Sequence, residues 1–284
     1  MTTVAEVQPL ELREITGPTA LGDSRRRFWE LLWLSAVTDF RMRYVDAVLG
    51  YFWALMRPLI TFGIIFLFLR RILSFGGAIP NFAPMLMLNI MMFQAFQEIT
   101  NRGLRALSSK EGLVRKMQFP RMVIPLSSSL TAAMTLGLNL VVGFLLLLAF
   151  QLTPTWSWLL LPVCAIVLVI LATGLSLFLS VAFVRLPDMV QVWSVISRVL
   201  FYATPILYTI DNIPPGVQKV VMLNPLSPIF VVLRKAITDP SAPNVVQAAH
   251  GWGHLMIPIV FAVFICVFSV RYFVREAPAV AEAL

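Results

Sequence analysis

Charge is what this sequence has least of. Only 13% of its 284 residues are charged, whereas 59% are hydrophobic, and the mean hydropathy is +0.85. Because a soluble domain carries about 25% charged residues, this composition excludes an ordinary soluble protein. The apolar runs approach the roughly 20 residues that a helix needs to cross a bilayer. The sequence therefore predicts a membrane protein that crosses the bilayer several times.

Cysteine and histidine are also scarce, with two of each. Cys164 and Cys266 lie inside apolar runs, which indicates small core residues rather than a disulfide framework. His250 and His254 are four residues apart, but the glycines of HGWGH disfavour a helix there, and no carboxylate or thiol lies nearby. We therefore expect no metal site.

A phosphate-binding loop of the form G-x-x-x-x-G-K-[ST] is missing from the sequence. None of its four lysines follows the required glycines; they are Lys110, Lys116, Lys219 and Lys235. The few polar residues provide no paired carboxylates and no nucleophile with a base. We therefore expect no enzyme. In a membrane chain, the net charge of +8 favours cytoplasmic positive charge over nucleic-acid binding.

Six apolar runs are predicted to span the membrane, which makes the expected fold all-α. They cover approximately 49–71, 83–103, 122–150, 158–184, 189–209 and 254–274. The fifth run is the weakest, because it contains Arg198. Between the last two runs, prolines break the chain into pieces too short to span, which predicts re-entrant helices on the outer side.

Lysine and arginine in the connections predict the orientation. Six lie before residue 49, six lie between the second and third runs, and the connection QLTPTWSW after the third run has none. They are Arg13, Arg25, Arg26, Arg27, Arg41 and Arg43, then Arg102, Arg105, Lys110, Arg115, Lys116 and Arg121. Both termini are therefore predicted to face the cytoplasm, although Arg70 and Arg71 argue weakly for the reverse.

The stretch RRRFWELLWLSAVTDFRMRYVD precedes the first run and predicts an amphipathic interface helix over 25–46, after a flexible cytoplasmic N-terminus at 1–24. Aromatic residues recur near the helical period, and arginines are available to lipid phosphates. The residues expected to act there are Arg26, Arg27, Trp29, Trp33, Arg41 and Arg43. Packing of this helix on another protein is an equally open interpretation.

The stretch SSKEGLVRKMQFPRMVIP lies between the second and third runs. Ser108 and Glu111 match a capping box, and Pro120 ends the pattern, so a short helix over about 109–118 is predicted. Periodicity leaves two interpretations open. The element could receive a conformational change from a partner protein, or it could be a basic turn whose charges only fix the membrane topology. Within the runs, the ionisable residues Arg57, Glu98 and Arg198 predict pore or subunit-interface positions.

Three ordered stretches resemble a known family. They are TDFRMRYVDAVLGYFWALMRPLI, KEGLVRKMQFPRMVIPLSSSLT with a K-x-x-F-P-R core at Lys116 to Arg121, and TPILYTIDNIPPGVQKVVMLNPLSPIFVVLRKAI. They resemble ABC-2 type permeases of polysaccharide exporters, the Wzm-like transmembrane subunits, over about residues 25–275. Within that family, the galactan exporters of mycobacterial-type envelopes look similar.

The resemblance implies a half-transporter with its transmembrane domain at 49–274 and a cytoplasmic tail at 275–284. Two copies would form a pore in the bacterial cytoplasmic membrane, and each would bind a separate ATPase subunit that carries the ATP and Mg. No cofactor is expected on this chain. The cargo would be a lipid-linked polysaccharide of the O-antigen, galactan or teichoic-acid class, moved outward.

The resemblance also assigns roles to residues. The helix at 109–118 would couple to the ATPase through Ser109, Lys110, Glu111, Leu113, Val114, Arg115, Lys116 and Met117. Because sugar C–H faces pack on aromatic rings, Trp193, Phe201, Tyr202 and Tyr208 are channel candidates, as are Arg57, Glu98 and Arg198. For each aromatic ring, an interfacial belt or helix packing is the alternative.

Three other functions compete with this interpretation. A drug- or lipid-exporting ABC permease is the nearest. A secondary transporter would show internal repeats, and none is evident. A membrane-embedded transferase would need a polar catalytic cluster, which is missing.

Overall fold

A computed structural model describes residues 24–44, 50–77, 79–110, 112 and 121–283, with side chains described between residues 26 and 276 of these ranges. The described chain is predominantly helical. Its helices are α1 (Ser24–Tyr44), α2 (Gly50–Leu67), α3 (Phe82–Ser109), α4 (Val123–Ala149), α5 (Leu160–Arg185), α6 (Met189–Ala203), α7 (Pro215–Val221), α8 (Ser227–Leu233), α9 (Val245–Ala248) and α10 (Trp252–Ala283). π-Helical turns extend α2 over Phe68–Ile72 and α8 over Arg234–Thr238.

Four of the described helical segments are long and apolar enough to cross a membrane. They are Gly50–Ile72, Val123–Ala149, Trp156–Arg185 and Trp252–Glu276. These segments match the first, third, fourth and sixth predicted runs to within a few residues. The four predicted runs therefore agree with four candidate spans in the structure.

The other two predicted spans differ from the structure in extent. α6 has only 15 residues and ends at Ala203, since Pro205 favours an extended conformation of the preceding Thr204 (φ −95°, ψ 143°). α3 has 28 residues and continues beyond the predicted end at residue 103. Because its second half carries many polar side chains, α3 is not apolar enough to be counted among the four candidate spans. A count of six spans therefore remains a prediction.

α3 is the central helix of the fold and packs against α5, α4 and α2. In its first half, residues 84–93 are buried on every side. Phe93 and Phe96 continue this core, with ring centroids 5.3 Å from Phe201 and 6.3 Å from Trp193, both on α6. The largely apolar first half therefore anchors α3, and its buried Asn89 donates to the carbonyls of Pro205 and Ile206.

α1 lies against α4 and buries Leu32 and Ala36. The hydroxyl of Thr131 on α4 donates a hydrogen bond to the carbonyl of Ala36 over 3.1 Å. One helical turn further along α4, the hydroxyls of Thr135 and Tyr44 lie 3.0 Å apart. The predicted helix over 25–46 is thus confirmed over Ser24–Tyr44, and it is attached to the transmembrane helices by hydrogen bonds.

The segment between α6 and α10 consists of short helices, none long enough to span a bilayer. It contains an ion network in which the largely buried Arg234 contacts the exposed Asp211 over 2.6 Å and the buried Asp239 over 2.8 Å. The amide of Asn81, just before α3, donates to the Thr238 carbonyl over 2.7 Å. This hydrogen bond joins the segment, predicted to form re-entrant helices on the outer side, to the start of the central helix.

The two histidines bind α7 to the start of α10. Nε2 of His250 lies 2.8 Å from Oε1 of Gln218, and Nε2 of His254 lies 2.8 Å from the Lys219 carbonyl oxygen. Both rings therefore have structural partners in this segment.

Candidate functional site

The second half of α3 carries a polar stripe. Its members recur at intervals of three and four residues, which places them on one face of the helix. They are Gln94, Gln97, Glu98, Asn101, Arg102, Arg105 and Ser109. The opposite face of the same turns is buried, with Ile99, Gly103 and Leu104 in the protein interior.

This stripe forms one wall of a groove of about 1190 Å³. The other walls come from α1, α2, α4 and α6. Their contributions are Asp39, Met42, Arg43 and Tyr44 from α1, Trp53, Arg57 and Thr61 from α2, Ser128 and Asn139 from α4, and Val190 and Ser194 from α6. Polar groups thus line a large groove in a chain whose helices are otherwise apolar.

Glu98 is the centre of a cationic cluster in this groove. Arg102, one turn further along α3, makes an ion pair with its carboxylate. Nη1 of Arg43 on α1 lies 3.4 Å from the same carboxylate oxygen. Arg57 on α2 is close enough to interact with Glu98 electrostatically. The carboxylate therefore holds three helices together by charge.

A hydrogen bond between neutral side chains fixes the level of α2 against α3. The amide of Gln94 donates to the hydroxyl of Thr61 over 2.9 Å. Arg57 and Glu98 each lie one helical turn from this bond, toward the end of the groove that carries α1. The two predicted ionisable residues therefore occupy the same level of the groove.

A second ion pair connects α1 to the end of α3. Nζ of Lys110 lies 2.6 Å from Oδ2 of Asp39, with about a quarter of each side chain exposed. Both residues also border a smaller groove of about 520 Å³, together with Leu34 and Ile124. The contact of Lys110 with an ATPase stays a prediction, and in this structure its side chain has Asp39 as a partner.

The predicted coupling helix is described only at its start. Ser109 is the last residue of α3, and its hydroxyl donates to the carbonyl of Ala106 over 3.0 Å. Ser108 also lies inside α3 and donates to the Arg105 carbonyl, so its predicted role as the first residue of a capping box is wrong. The remaining predicted contacts lie outside the described residues: Glu111, Leu113, Val114, Arg115, Lys116 and Met117.

The predicted channel residues on and beyond α6 lie in different environments. Trp193 is buried, 3% exposed, against Phe96, so it does not line the groove. Phe201 packs on Phe93, and Tyr202 is 62% exposed. The hydroxyl of Tyr208 donates to the Tyr202 carbonyl over 3.3 Å.

Arg198 is exposed and follows the groove-lining Val190 and Ser194 at intervals of four residues. It therefore lies on the same side of α6, one turn beyond the groove lining.

Most of the predicted interface residues lie on the outside of α1, whereas Arg43 lines the groove and pairs with Glu98. Trp29 and Trp33 are 65% and 59% exposed, and Arg26 forms a surface ion pair with Glu30. Arg41 is exposed and Arg27 is half-buried. Apolar and basic residues are not sorted into two clear faces along α1, so the helix is less amphipathic than the sequence pattern suggested.

Most of the polar stripe was missed at the level of sequence. Arg102 and Arg105 were counted as loop charges, because the predicted second span ended at residue 103. The spacing of Gln94, Gln97 and Asn101 with Glu98 was the available signal, since it is the helical period. Recognising it required knowing that α3 continues to Ser109.

Comparison with known families identifies the class of membrane protein to which this helical fold and its polar groove belong. The profile of the ABC-2 type transporter family matches residues 30–238, well over half of the chain. The chain therefore belongs to the ABC-2 type transporter family. The permeases of this family are membrane subunits of transporters and not ATPases.

Its relatives include named exporters. The chain is 29% identical over 207 residues to the O-antigen export system permease protein RfbA of Klebsiella pneumoniae, covering 72% of this chain and 79% of that protein. It is 26% identical over 211 residues to RfbA of Myxococcus xanthus, with coverages of 72% and 79%. It is 26% identical over 219 residues to the polysialic acid transport protein KpsM of Escherichia coli, with coverages of 70% and 78%.

Proposed function

We propose that this chain is the membrane subunit of an ATP-driven exporter that moves a lipid-linked polysaccharide outward across the bacterial cytoplasmic membrane. The observation that carries the proposal is the polar groove along the second half of α3. Amide and hydroxyl groups such as those of Gln97, Asn101 and Ser194 can exchange hydrogen bonds with sugar hydroxyls. The names of the relatives, which export O-antigen and transport polysialic acid, support a polysaccharide as the cargo. We propose that it belongs to the O-antigen, galactan or teichoic-acid class.

The pore is formed by two copies in this proposal. The groove is bordered on one side by α2. Only 6% of the most apolar stretch of the α2 span is buried inside the protein, against 56% for the span Trp156–Arg185. Charged residues such as Arg57 and Glu98 are costly when they face hydrocarbon. A second copy that covers the α2 side would enclose these groups in a water-filled passage.

ATP hydrolysis belongs to a separate subunit in this proposal, also present in two copies. Residues 109–118 would receive the movement of that subunit, and α1 would flank the contact. Since α1 is connected to α3 by the Asp39–Lys110 pair and to α4 by Thr131, displacement of this surface would be passed to the groove walls.

Depletion of the chain in its host tests the export function. The expected result is loss of surface polysaccharide together with accumulation of lipid-linked glycan inside the cell. Replacing Gln97 and Asn101 by Leu removes neutral polar groups from the groove, and it should reduce export severalfold at unchanged protein level. Ser157→Leu, an exposed change between α4 and α5 outside the groove lining, serves as the matched control. Normal surface glycan with altered lipid or drug export would instead indicate the competing ABC permease function.

Charge reversal tests the ATPase contact. Arg115→Glu with Lys116→Glu should prevent co-purification with the ATPase, or uncouple ATP turnover from export. Arg271→Glu with Arg275→Glu, at two exposed positions of α10, is the control with the same change of charge. A fully coupled complex in the double variant would mean that the basic turn only sets topology and that α1 makes the contact.

A further inference from the structure

The polar groove has an excess of positive charge. Its lining includes five cations, Arg43, Arg57, Arg102, Arg105 and Lys110, but only two carboxylates, those of Asp39 and Glu98. Lys110 is paired with Asp39, whereas Arg43 and Arg102 share Glu98. Within the described part of the chain, Arg57 and Arg105 have no ion pair. The groove therefore carries three positive charges more than its own carboxylates neutralise.

Arg57 and Arg102 lie at similar distances from the ends of their helices. Arg57 is seven residues from the first residue of α2, and Arg102 is seven residues from the last residue of α3, which corresponds to about 10 Å along each helix. Because α2 and α3 are consecutive and joined by a short connection, these two ends lie on the same side of the membrane. The head-group layer of a bilayer is roughly 6 Å thick on each side, so this depth is near the boundary between head groups and hydrocarbon.

Arg102 lacks an acceptor for one of its donors. Its Nε is buried and has no hydrogen-bond partner among the described residues, although the side chain forms an ion pair through Nη2. A guanidinium group presents several N–H donors in a planar arrangement that matches phosphate oxygens. The buried donor and the excess charge both indicate an anionic ligand with more than one oxygen.

We infer that Arg57, Arg102 and Arg105 bind a phosphate-containing anion, and that this anion is the phosphate or pyrophosphate that joins the transported glycan to its lipid. The inference rests on the proposed function and names the part of the cargo that the groove recognises. The lipid tail leaves the groove into the bilayer, and the glycan extends along the neutral groups Gln97 and Asn101. Glu98 keeps Arg43 and Arg102 in place.

Binding measured on the assembled complex tests this inference. The full chain with its ATPase subunit in nanodiscs is titrated with three probes: a polyprenyl diphosphate, the corresponding polyprenol without phosphate, and inorganic pyrophosphate. We expect the diphosphate lipid to bind, more weakly as salt rises, and the polyprenol not to compete. Arg57→Gln with Arg105→Gln should weaken binding by about tenfold or more, because two charge-assisted contacts are lost.

Two controls make the result specific. Arg271→Gln removes an exposed arginine outside the groove and should bind like the wild type. Arg57→Lys keeps the charge and should retain more binding than Arg57→Gln. If inorganic pyrophosphate alone binds as tightly as the lipid and with the same dependence on Arg57 and Arg105, the ligand is a free phosphate compound and not a lipid head group.

Unchanged binding of the diphosphate lipid to the double glutamine variant would overturn the inference. That outcome would leave the proposed function intact if depletion still abolished surface polysaccharide. Conversely, variant-sensitive binding together with normal export after depletion would retain the anion site and reject polysaccharide export.

Discussion

Gly103 and Ser176 mark a close approach between α3 and α5. A Cβ atom added to Gly103 would lie 2.2 Å from the Cβ of Ser176 and 3.0 Å from its Cα, so neither helix can accommodate it without shifting. Small residues at helix contacts allow this close packing in membrane proteins. The position is on the buried face of α3, opposite the polar stripe and level with Arg102, so this contact also fixes where the groove wall stands.

Gly103→Ala should therefore destabilise the protein by about 1–3 kcal/mol, the usual cost of overpacking a close contact. Thermal unfolding of the purified chain in detergent measures the effect. Gly137→Ala on α4 is the matched control, because no atom lies within 4 Å of an added Cβ there. Equal melting temperatures of the two variants would contradict the close contact.

Asp239 makes the segment between α6 and α10 sensitive to acid. Burial alone would raise the pKa of Asp239, but hydrogen bonds from Ser241 and Arg234, with the positive charge of Arg234, lower it below its ordinary value of 3.8. A lowered pKa in the folded state stabilises the fold above the ordinary value, and this stabilisation is lost as pH falls through the folded pKa. We expect the loss only below about pH 4.

Asp239→Asn should lower the melting temperature at neutral pH and reduce its decline in acid, since Arg234 would lose one of its two carboxylate partners. Melting curves between pH 3 and pH 7 measure both effects. Asp188→Asn, an exposed change just before α6, is the control. A variant that retains the acid decline of the wild type would exclude Asp239 as its source.

At the scale of an element, α1 is the helix whose position depends most on polar contacts. Asp39→Lys should break the pair with Lys110 and loosen α1, at a cost on the order of 1 kcal/mol because both side chains are partly exposed. Hydrogen exchange over residues 24–44 should increase. The charge-swapped double variant Asp39→Lys with Lys110→Asp should restore protection, and failure to do so would mean that the pair does not hold α1.

α3 shows what the sequence could and could not predict about an element. Its first half was predicted well, because an apolar run of sufficient length has few alternatives to a buried or spanning helix. Its end was misplaced, because Arg102 and Arg105 look like loop residues unless their neighbours on other helices are known. The same limit applies to Trp193, whose burial against Phe96 depends on how α6 meets α3.

At the scale of the whole molecule, the exposed α2 and the charged groove predict association of two copies. The purified complex should contain two chains of 31.8 kDa with its ATPase subunits, because a single chain would leave Arg57 and Glu98 beside lipid. Light scattering after size exclusion, corrected for detergent, gives the mass. A complex that contains one copy and is active in export would contradict a passage formed between two copies.

The sequence by itself determined the class of protein, the four most apolar spans and a helix before the first of them, because length, hydropathy and period are local properties of the chain. Its motifs also indicated the family. Only the tertiary structure decided where the polar groups meet: the groove combines side chains from α1, α2, α3, α4 and α6. Contacts such as Gln94 with Thr61 and Arg43 with Glu98 join residues far apart in sequence, and helix packing alone sets their distances.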